Sequence, residues 1–204
     1  MKITEDNLKE AIEKCLSNAL DLIDDASLLK KNNRKERAYT LFQLAIEEVG
    51  KAIRIFVYLL FDNLSDEKTK KIFLKDFRDH QEKTRKSIAM DYYFLLIGKD
   101  HIDDKLKFLE ASAYELKNIS KLNDLKNYSL YTSIHNNQFK TPKELISDSN
   151  LDSIEFRALT RYRVAKSYLQ FQLPHLETLK NYFSTNPITL SEDELIKNFW
   201  EYIQ

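Results

Sequence analysis

A scarcity of turn-forming residues is the feature that most constrains how this chain can fold. Only two glycines and three prolines occur among 204 residues, and β-hairpins and strand-to-helix turns depend on these residue types. The scarcity argues against an all-β sandwich or a Rossmann-like sheet. Leu, Ile, Lys and Glu recur instead at helical spacing, which predicts an all-α protein that buries one core in a single domain spanning residues 1–204.

The spacing of apolar residues predicts where the helices lie. We predict helices over residues 6–31, 35–61, 65–90, 103–121 and 152–183, the last bent near Pro174, and a terminal helix in a C-terminal extension over residues 184–204. Residues 122–150 show no clear period, so we predict a long structured loop there. Within that loop a capping-box pattern from Thr141 to Glu144, with proline at the first helical position, predicts one short helix.

Charge balance and cysteine content exclude several classes of protein. The 32 basic and 32 acidic residues cancel, so any surface that attracts nucleic acid must be local. The longest apolar run, residues 55–61, is much shorter than the roughly 20 residues of a membrane span. Cys15 is the single cysteine, and the N-terminus lacks the apolar core of a signal peptide. We therefore expect a soluble, cytoplasmic protein with no membrane contact.

Sequence motifs for metals and nucleotide cofactors are missing. None of the four histidines follows a glutamate by three residues, the spacing that di-iron bundles use. The sequence contains no His-Glu-x-x-His, Cys-x-x-Cys, Walker A or glycine-rich dinucleotide motif. We therefore predict neither a metal nor a cofactor.

Two adjacent carboxylates lie within the most apolar predicted helix, residues 35–61. On a helical wheel Glu47 falls on a polar stripe together with Lys51, which favours an ordinary exposed ion pair. Glu48 falls on an apolar face, where a carboxylate must be paired or hydrogen-bonded. Two interpretations of Glu48 stay open: a structural buried ion pair and part of a functional site.

His80 is the predicted partner of Glu48. It lies on the apolar stripe of the following helix, and Lys83 follows it by one turn. A histidine in such a position is more often a structural core residue than a catalytic one. Because successive helices usually pack together, one cluster of Glu48, His80 and Lys83 would provide a partner for each buried polar group.

Two segments combine cations with aromatic residues. Residues 117–143 contain five lysines, including Lys126, against one acid, and they also contain Tyr131. Residues 156–176 contain no acid and several cations, namely Arg157, Arg161, Arg163 and Lys166. Cations beside exposed aromatic rings suit single-stranded RNA. The alternative interpretation of each segment is a solvated helix face above core aromatics.

Three segments resemble the AbiV family of abortive-infection proteins, over about residues 5–170. They are Glu-Glu-x-Gly-Lys at 47–51, Asp-Phe-x-x-His-x-x-Lys at 76–83, and Lys-x-x-x-Leu-Tyr at 126–131, which a proline follows. That family belongs to the HEPN superfamily of helical bundles, which are often dimeric and many of which are metal-independent ribonucleases. The resemblance implies an antiparallel HEPN-like helical bundle.

The resemblance also implies a set of site residues. Its motifs point to Glu47, Glu48, Lys51, His80, Lys83, Lys126 and Tyr131. We assign His80 as the general acid or base and Glu48 as the group that orients it. Lys51 and Lys83 would stabilise the phosphate, with Glu47 and Arg78 in support. The usual HEPN ribonuclease motif, an arginine separated from a histidine by four to six residues, is absent from this sequence.

The resemblance implies an antiviral effector that acts in phage abortive infection. A phage-encoded component would activate it, and it would shut down host gene expression or translation by binding or cleaving RNA. It is also expected to be a homodimer, because residues 52–61 are apolar nearly all round the helix. The alternative function is that of a non-catalytic interaction protein, in which the Glu, His and Lys residues form a purely structural cluster.

Overall fold

The computed structural model describes residues 4–61, 66–97 and 102–185. In chain order the elements are α1 Glu5–Lys31, α2 Lys35–Phe61, α3 Glu67–Asp76, α4 His80–Ile97, α5 Ile102–Lys117, α6 Ile119–Tyr128, β1 Ser133–His135, β2 Gln138–Lys140, α7 Pro142–Leu145, α8 Asp148–Gln172 and α9 Leu176–Thr185. A single 3₁₀ turn, Leu173–His175, joins α8 to α9. The all-α, HEPN-like prediction is confirmed, with one short hairpin as the exception among the described residues.

The predictions for the first two helices are confirmed, but the third predicted helix is wrong. Residues 77–79 separate α3 from α4. The break arises because the Asp79 carboxylate accepts hydrogen bonds from the backbone N–H groups of Gln81 and Glu82, at 2.8 and 3.2 Å. A carboxylate in that position starts a new helix. Asp66 caps α3, and residue 65, at which the predicted helix begins, lies outside the described residues.

The predicted loop over residues 122–150 is largely wrong. Helix α6 extends into it, the β1–β2 hairpin occupies its centre, and α8 begins before its end. The hairpin turns at Asn136 and Asn137, whose φ angles of 51° and 60° are left-handed and which asparagine tolerates better than most residues. The short helix α7 was predicted correctly: Pro142 is its first residue, and the Glu144 carboxylate accepts from the Thr141 backbone N–H at 2.8 Å.

Pro174 bends the C-terminal helix as predicted. It lies in the 3₁₀ turn that separates α8 from α9, because a proline has no N–H to continue the helical ladder. The predicted terminal helix in the extension over residues 184–204 begins beyond Thr185 and lies outside the described residues.

Helix α2 is the centre of the bundle, and 16 of its 27 residues are buried. It packs against α1, α4 and α8 along its length. Near its end, Phe56 packs edge-on against Tyr168 of α8, and Tyr58 stacks on Phe73 of α3. The chain itself therefore covers the apolar circumference of residues 52–61, and the argument that this stretch needs a second copy is wrong. Within the described ranges, no helix is long and apolar enough to cross a membrane.

Candidate functional site

The polar stripe of α2 faces inward, toward α4 and α6. Thr40, Gln43 and Glu47 lie on this stripe, and all three are buried. The Thr40 hydroxyl lies 2.6 Å from the hydroxyl of Ser129, just after α6. The Gln43 Nε2 donates to Thr84 Oγ1 of α4 at 3.2 Å. The stripe is therefore a buried polar seam between three helices and not a solvated surface.

Glu47 is the centre of an ionic cluster within this seam. Its Oε1 accepts a hydrogen bond from Lys126 Nζ of α6 at 2.7 Å. Its Oε2 lies 2.5 Å from His80 Nδ1 and 3.3 Å from Lys83 Nζ, both on α4. Glu47 and the two lysines are buried, whereas 55% of the His80 side chain is exposed. We call these four residues the Glu47 cluster; its histidine is the one member that reaches solvent.

The sequence prediction interchanged the environments of the two carboxylates. Glu48 is only partly buried, and it pairs with Lys51, three residues further along α2. Glu48 also lies beside Cys15 of α1, where burial and then the Glu48 charge raise the pKa of the thiol to about 12. The prediction that Glu48 pairs with His80 is wrong, because the polar stripe carrying Glu47 is the one that α4 and α6 cover.

The charges of the Glu47 cluster do not cancel. Burial by itself would raise the pKa of Glu47, but hydrogen bonds from Lys126 and His80 outweigh burial, and the net effect lowers its pKa. The ionised carboxylate faces two lysine ammonium groups, so the cluster has a net positive charge even with a neutral imidazole. A buried excess of positive charge is costly without a compensating anion. The cluster is therefore suited to an anionic ligand.

Gly50 allows α2 and α4 to approach closely enough for this cluster to form. A Cβ atom placed on Gly50 would lie 1.7 Å from the backbone carbonyl oxygen of Lys83. No side chain larger than hydrogen fits that space unless the helices move apart. Because Gly50 lies one turn after Glu47, the close contact brings the start of α4 within reach of the Glu47 carboxylate.

Replacing Gly50 with alanine should destabilise the protein by about 1–3 kcal/mol or more, because the new methyl group forces the two backbones apart. Intrinsic helix propensity acts in the opposite direction and favours alanine by about 1 kcal/mol. Denaturant unfolding, monitored by circular dichroism, measures whether the free energy of unfolding falls or rises. The exposed Ala89 of α4 provides the control, since Ala89→Gly changes propensity alone. A Gly50→Ala protein as stable as the parent would contradict the close approach.

Lys51 and Arg78, which were predicted as site residues, lie outside the Glu47 cluster. The Lys51 ammonium is 5.6 Å from the centre of the Phe77 ring, and its side chain is partly buried. Arg78 is exposed on the turn between α3 and α4, two residues before His80. Lys51 is therefore close to the turn that precedes His80, but it pairs with Glu48 and not with Glu47.

The structure separates the five residues predicted to bind RNA into two groups. Lys126 and Arg161 are buried, so the prediction that they form a basic surface is wrong. Arg157 is largely buried and pairs with Glu115. Tyr131 and Arg163 are exposed and accessible to a ligand.

Arg161 ties α8 to α4 and α5 through a second buried network. Its Nε and Nη2 donate to the two Asp91 oxygens at 2.9 and 2.6 Å, and its Nη1 donates to Ser87 Oγ at 3.3 Å. Its Nη2 also donates to Glu115. Burial and then the neighbouring Arg161 charge lower the pKa of Arg157 to about 10. This network is one that sequence reasoning missed, because its carboxylates come from helices distant in the sequence.

The all-α bundle, with its one short hairpin among the described residues, is consistent with a HEPN-like helical fold. The chain belongs to the AbiV family of HEPN proteins, since the family model described as AbiV matches residues 7–162. Membership of this family associates the chain with abortive infection, a form of antiphage defence. No curated protein and no solved structure gave a significant match.

Proposed function

We propose that this protein is a metal-independent ribonuclease of antiphage defence, with the Glu47 cluster as its active site. On infection it would shut down host gene expression or translation by cleaving RNA. The observation that carries this proposal is the half-exposed His80, whose Nδ1 is held by a buried carboxylate with two buried lysines beside it. Among the described residues, no group of three or more His, Cys, Asp or Glu side chains is placed to hold a metal ion.

His80 is the proton-transferring group in this proposal. An ionised carboxylate can only accept hydrogen bonds, so Nδ1 carries the hydrogen that faces Glu47, and a neutral ring then has an unprotonated Nε2. That nitrogen removes the proton of a ribose 2′-hydroxyl, and the 2′ oxygen attacks the adjacent phosphorus. The bond to the 5′ oxygen breaks, and this oxygen takes a proton from solvent. The products are a 2′,3′-cyclic phosphate and a 5′-hydroxyl. Glu47, and not Glu48, orients the imidazole.

The cations of the site stabilise the charge that develops on the phosphate. Lys83 makes the longest of the three contacts with Glu47, at 3.3 Å, so its ammonium can turn toward a phosphate oxygen at least cost. Lys51 lies over the Phe77 ring, and Arg78 lies two residues before His80 in the same family motif, so we propose that both can reach the bound phosphate. A phosphate bound there supplies the negative charge that the buried lysines lack, which is the electrostatic stabilisation that phosphoryl transfer needs.

A non-catalytic interaction protein is the second candidate function. The observation that favours it is that Lys83 and Lys126 are both buried against Glu47, as in a structural ion cluster. The absence of the usual HEPN arginine–histidine spacing from the sequence favours it too. In that case the protein inhibits its target by binding, and His80 is dispensable.

Replacing His80 with alanine separates the two functions. We expect the variant to fold but to lose phage protection or toxicity in bacteria, because the other base of the cluster, Glu47, is buried and paired with two lysines. Phage survival and discrete cleavage products in total RNA, with and without phage, are the measurements. Gln81→Ala, an exposed change at the next residue, is the control. If folded His80→Ala protein arrests growth as the parent does, the ribonuclease proposal is wrong and the non-catalytic interaction function is the better account.

We also propose a homodimer that a phage-encoded component activates. The dimer is proposed because HEPN domains commonly dimerise, and not because residues 52–61 need a second copy to cover them. Light scattering of the purified protein at micromolar concentration should give twice the chain mass of 24.2 kDa. A mass equal to that of one chain would contradict it.

A further inference from the structure

The β1–β2 hairpin has an exposed apolar face. Ile134 and Phe139 are register partners across the two strands, so their side chains lie on the same face of the hairpin. They are 64% and 80% exposed. Tyr131, two residues before β1, is 64% exposed. We call Ile134 and Phe139 the hairpin face, and the exposed Tyr131 lies on the bend that leads into it.

The opposite face of the hairpin is the one that rests on the protein. His135 alternates with Ile134 along β1, and its ring packs edge-on against Tyr128 of α6 with ring centres 6.1 Å apart. The hairpin face therefore points away from the bundle. Two large apolar side chains side by side in water, with the exposed Tyr131 close in sequence, are unfavourable, and such patches mark surfaces that a ligand covers.

The hairpin face lies within a stretch that has no acidic residues. Residues 125–143 contain no Asp or Glu, although 32 of the 204 residues in the chain are acidic. Lys140 belongs to β2, Lys143 is exposed in α7, and Arg37 is exposed where it donates to the Leu130 carbonyl at 3.4 Å. Glu144, whose carboxylate contacts Thr141 directly after β2, is the next acidic residue along the chain. The cations outnumber it, and an apolar, aromatic surface with an excess of cations nearby is complementary to a polyanion that also carries flat rings.

Helix α6 joins this face to the Glu47 cluster. Lys126 binds Glu47 from the last turn of that helix, and Ser129 contacts Thr40 just after it, before the hairpin begins. Thr40 lies seven residues before Glu47, which is about 10 Å along the axis of α2. The start of the hairpin therefore lies close to the proposed active site along the polar seam.

We propose that the hairpin face is a stacking platform that binds single-stranded RNA beside the Glu47 cluster. Bases stack on the rings of Tyr131 and Phe139 and pack against Ile134, while the nearby cations contact phosphates. Only unpaired bases present a free ring face, so the platform selects single-stranded over double-stranded RNA. This inference rests on the proposed function for its choice of RNA as the ligand, but it concerns binding and not cleavage.

Fluorescence anisotropy with a labelled oligouridine strand tests the platform. The measurements use the His80→Ala protein, so that cleavage does not occur during the titration. Adding Phe139→Ala should weaken binding by about five- to one-hundred-fold, the loss expected from removing one base–aromatic stack. Phe171→Ala, which removes a 63% exposed aromatic ring from α8, is the matched control and should leave the affinity unchanged. A duplex RNA should bind more weakly than the single strand.

Several outcomes would overturn the platform. Failure of the His80→Ala protein to bind oligouridine would do so, as would equal affinities with and without Phe139→Ala. If Phe139→Ala leaves RNA affinity unchanged but converts a dimer into a monomer in light scattering, the face is an interface between two copies. His80-dependent cleavage by the parent would in either case leave the ribonuclease proposal intact. If binding depends on Phe139 but the parent protein cleaves no RNA, the ribonuclease proposal fails and the proposal of an RNA-binding platform stands.

Discussion

Replacing Glu47 with alanine should destabilise the protein by about 3–5 kcal/mol. The change removes the carboxylate that compensates Lys83 and Lys126, and both ammonium groups would stay buried without their partner. Their desolvation is then uncompensated, which is one of the largest penalties that a single substitution can produce. Chemical denaturation of the purified variant and the parent gives the difference in the free energy of unfolding.

Glu48→Ala is the matched control, since the two carboxylates are neighbours in the sequence. Glu48 is partly exposed and pairs with a lysine that solvent also reaches, so its loss should cost under about 1 kcal/mol. Small and equal losses for the two variants would show that Glu47 is not the buried centre of the cluster.

Replacing Arg161 with alanine should have an effect of similar size. Asp91 and Glu115 would remain buried in the core with much of their positive charge removed, at a cost of about 3–5 kcal/mol. The exposed Arg163, two residues further along α8, provides the control, and Arg163→Ala should change stability by no more than about 0.5 kcal/mol. If the Arg161→Ala protein keeps its stability but binds RNA more weakly, Arg161 contacts RNA at the surface, as the sequence predicted, and is not a buried structural residue.

Helix α2 shows how much of the fold the sequence predicts. Its apolar period was strong enough to place both ends at the observed residues. The break before α4 was missed because it has no glycine or proline, and a carboxylate cap at Asp79 has few features that distinguish it from an exposed helix residue. The hairpin was missed for a related reason, since asparagines take the left-handed positions that glycine usually occupies.

The sequence placed His80 and Lys83 in one cluster with a buried glutamate, but it named the wrong glutamate and assigned Lys126 to RNA binding. A helical wheel gives the angle between Glu47 and Glu48, but it does not show which arc of the helix its neighbours cover. In α2 the apolar residues surround most of the axis, so the polar stripe is buried as well. A buried polar stripe needs partners from other helices, and Lys126, which belongs to one of the three family motifs, is the partner that the helical wheel did not indicate.

The assignment of His80 as the catalytic base is tested most directly by RNA cleavage in the presence of EDTA, with protein purified from phage-infected cells. We expect the parent and Gln81→Ala proteins to produce fragments that end in 2′,3′-cyclic phosphates. The His80→Ala protein, with an unchanged circular dichroism spectrum and an unchanged oligomeric state, should produce none. Cleavage by folded His80→Ala protein at the parental rate would contradict the assignment, and so would a parent protein that leaves RNA intact.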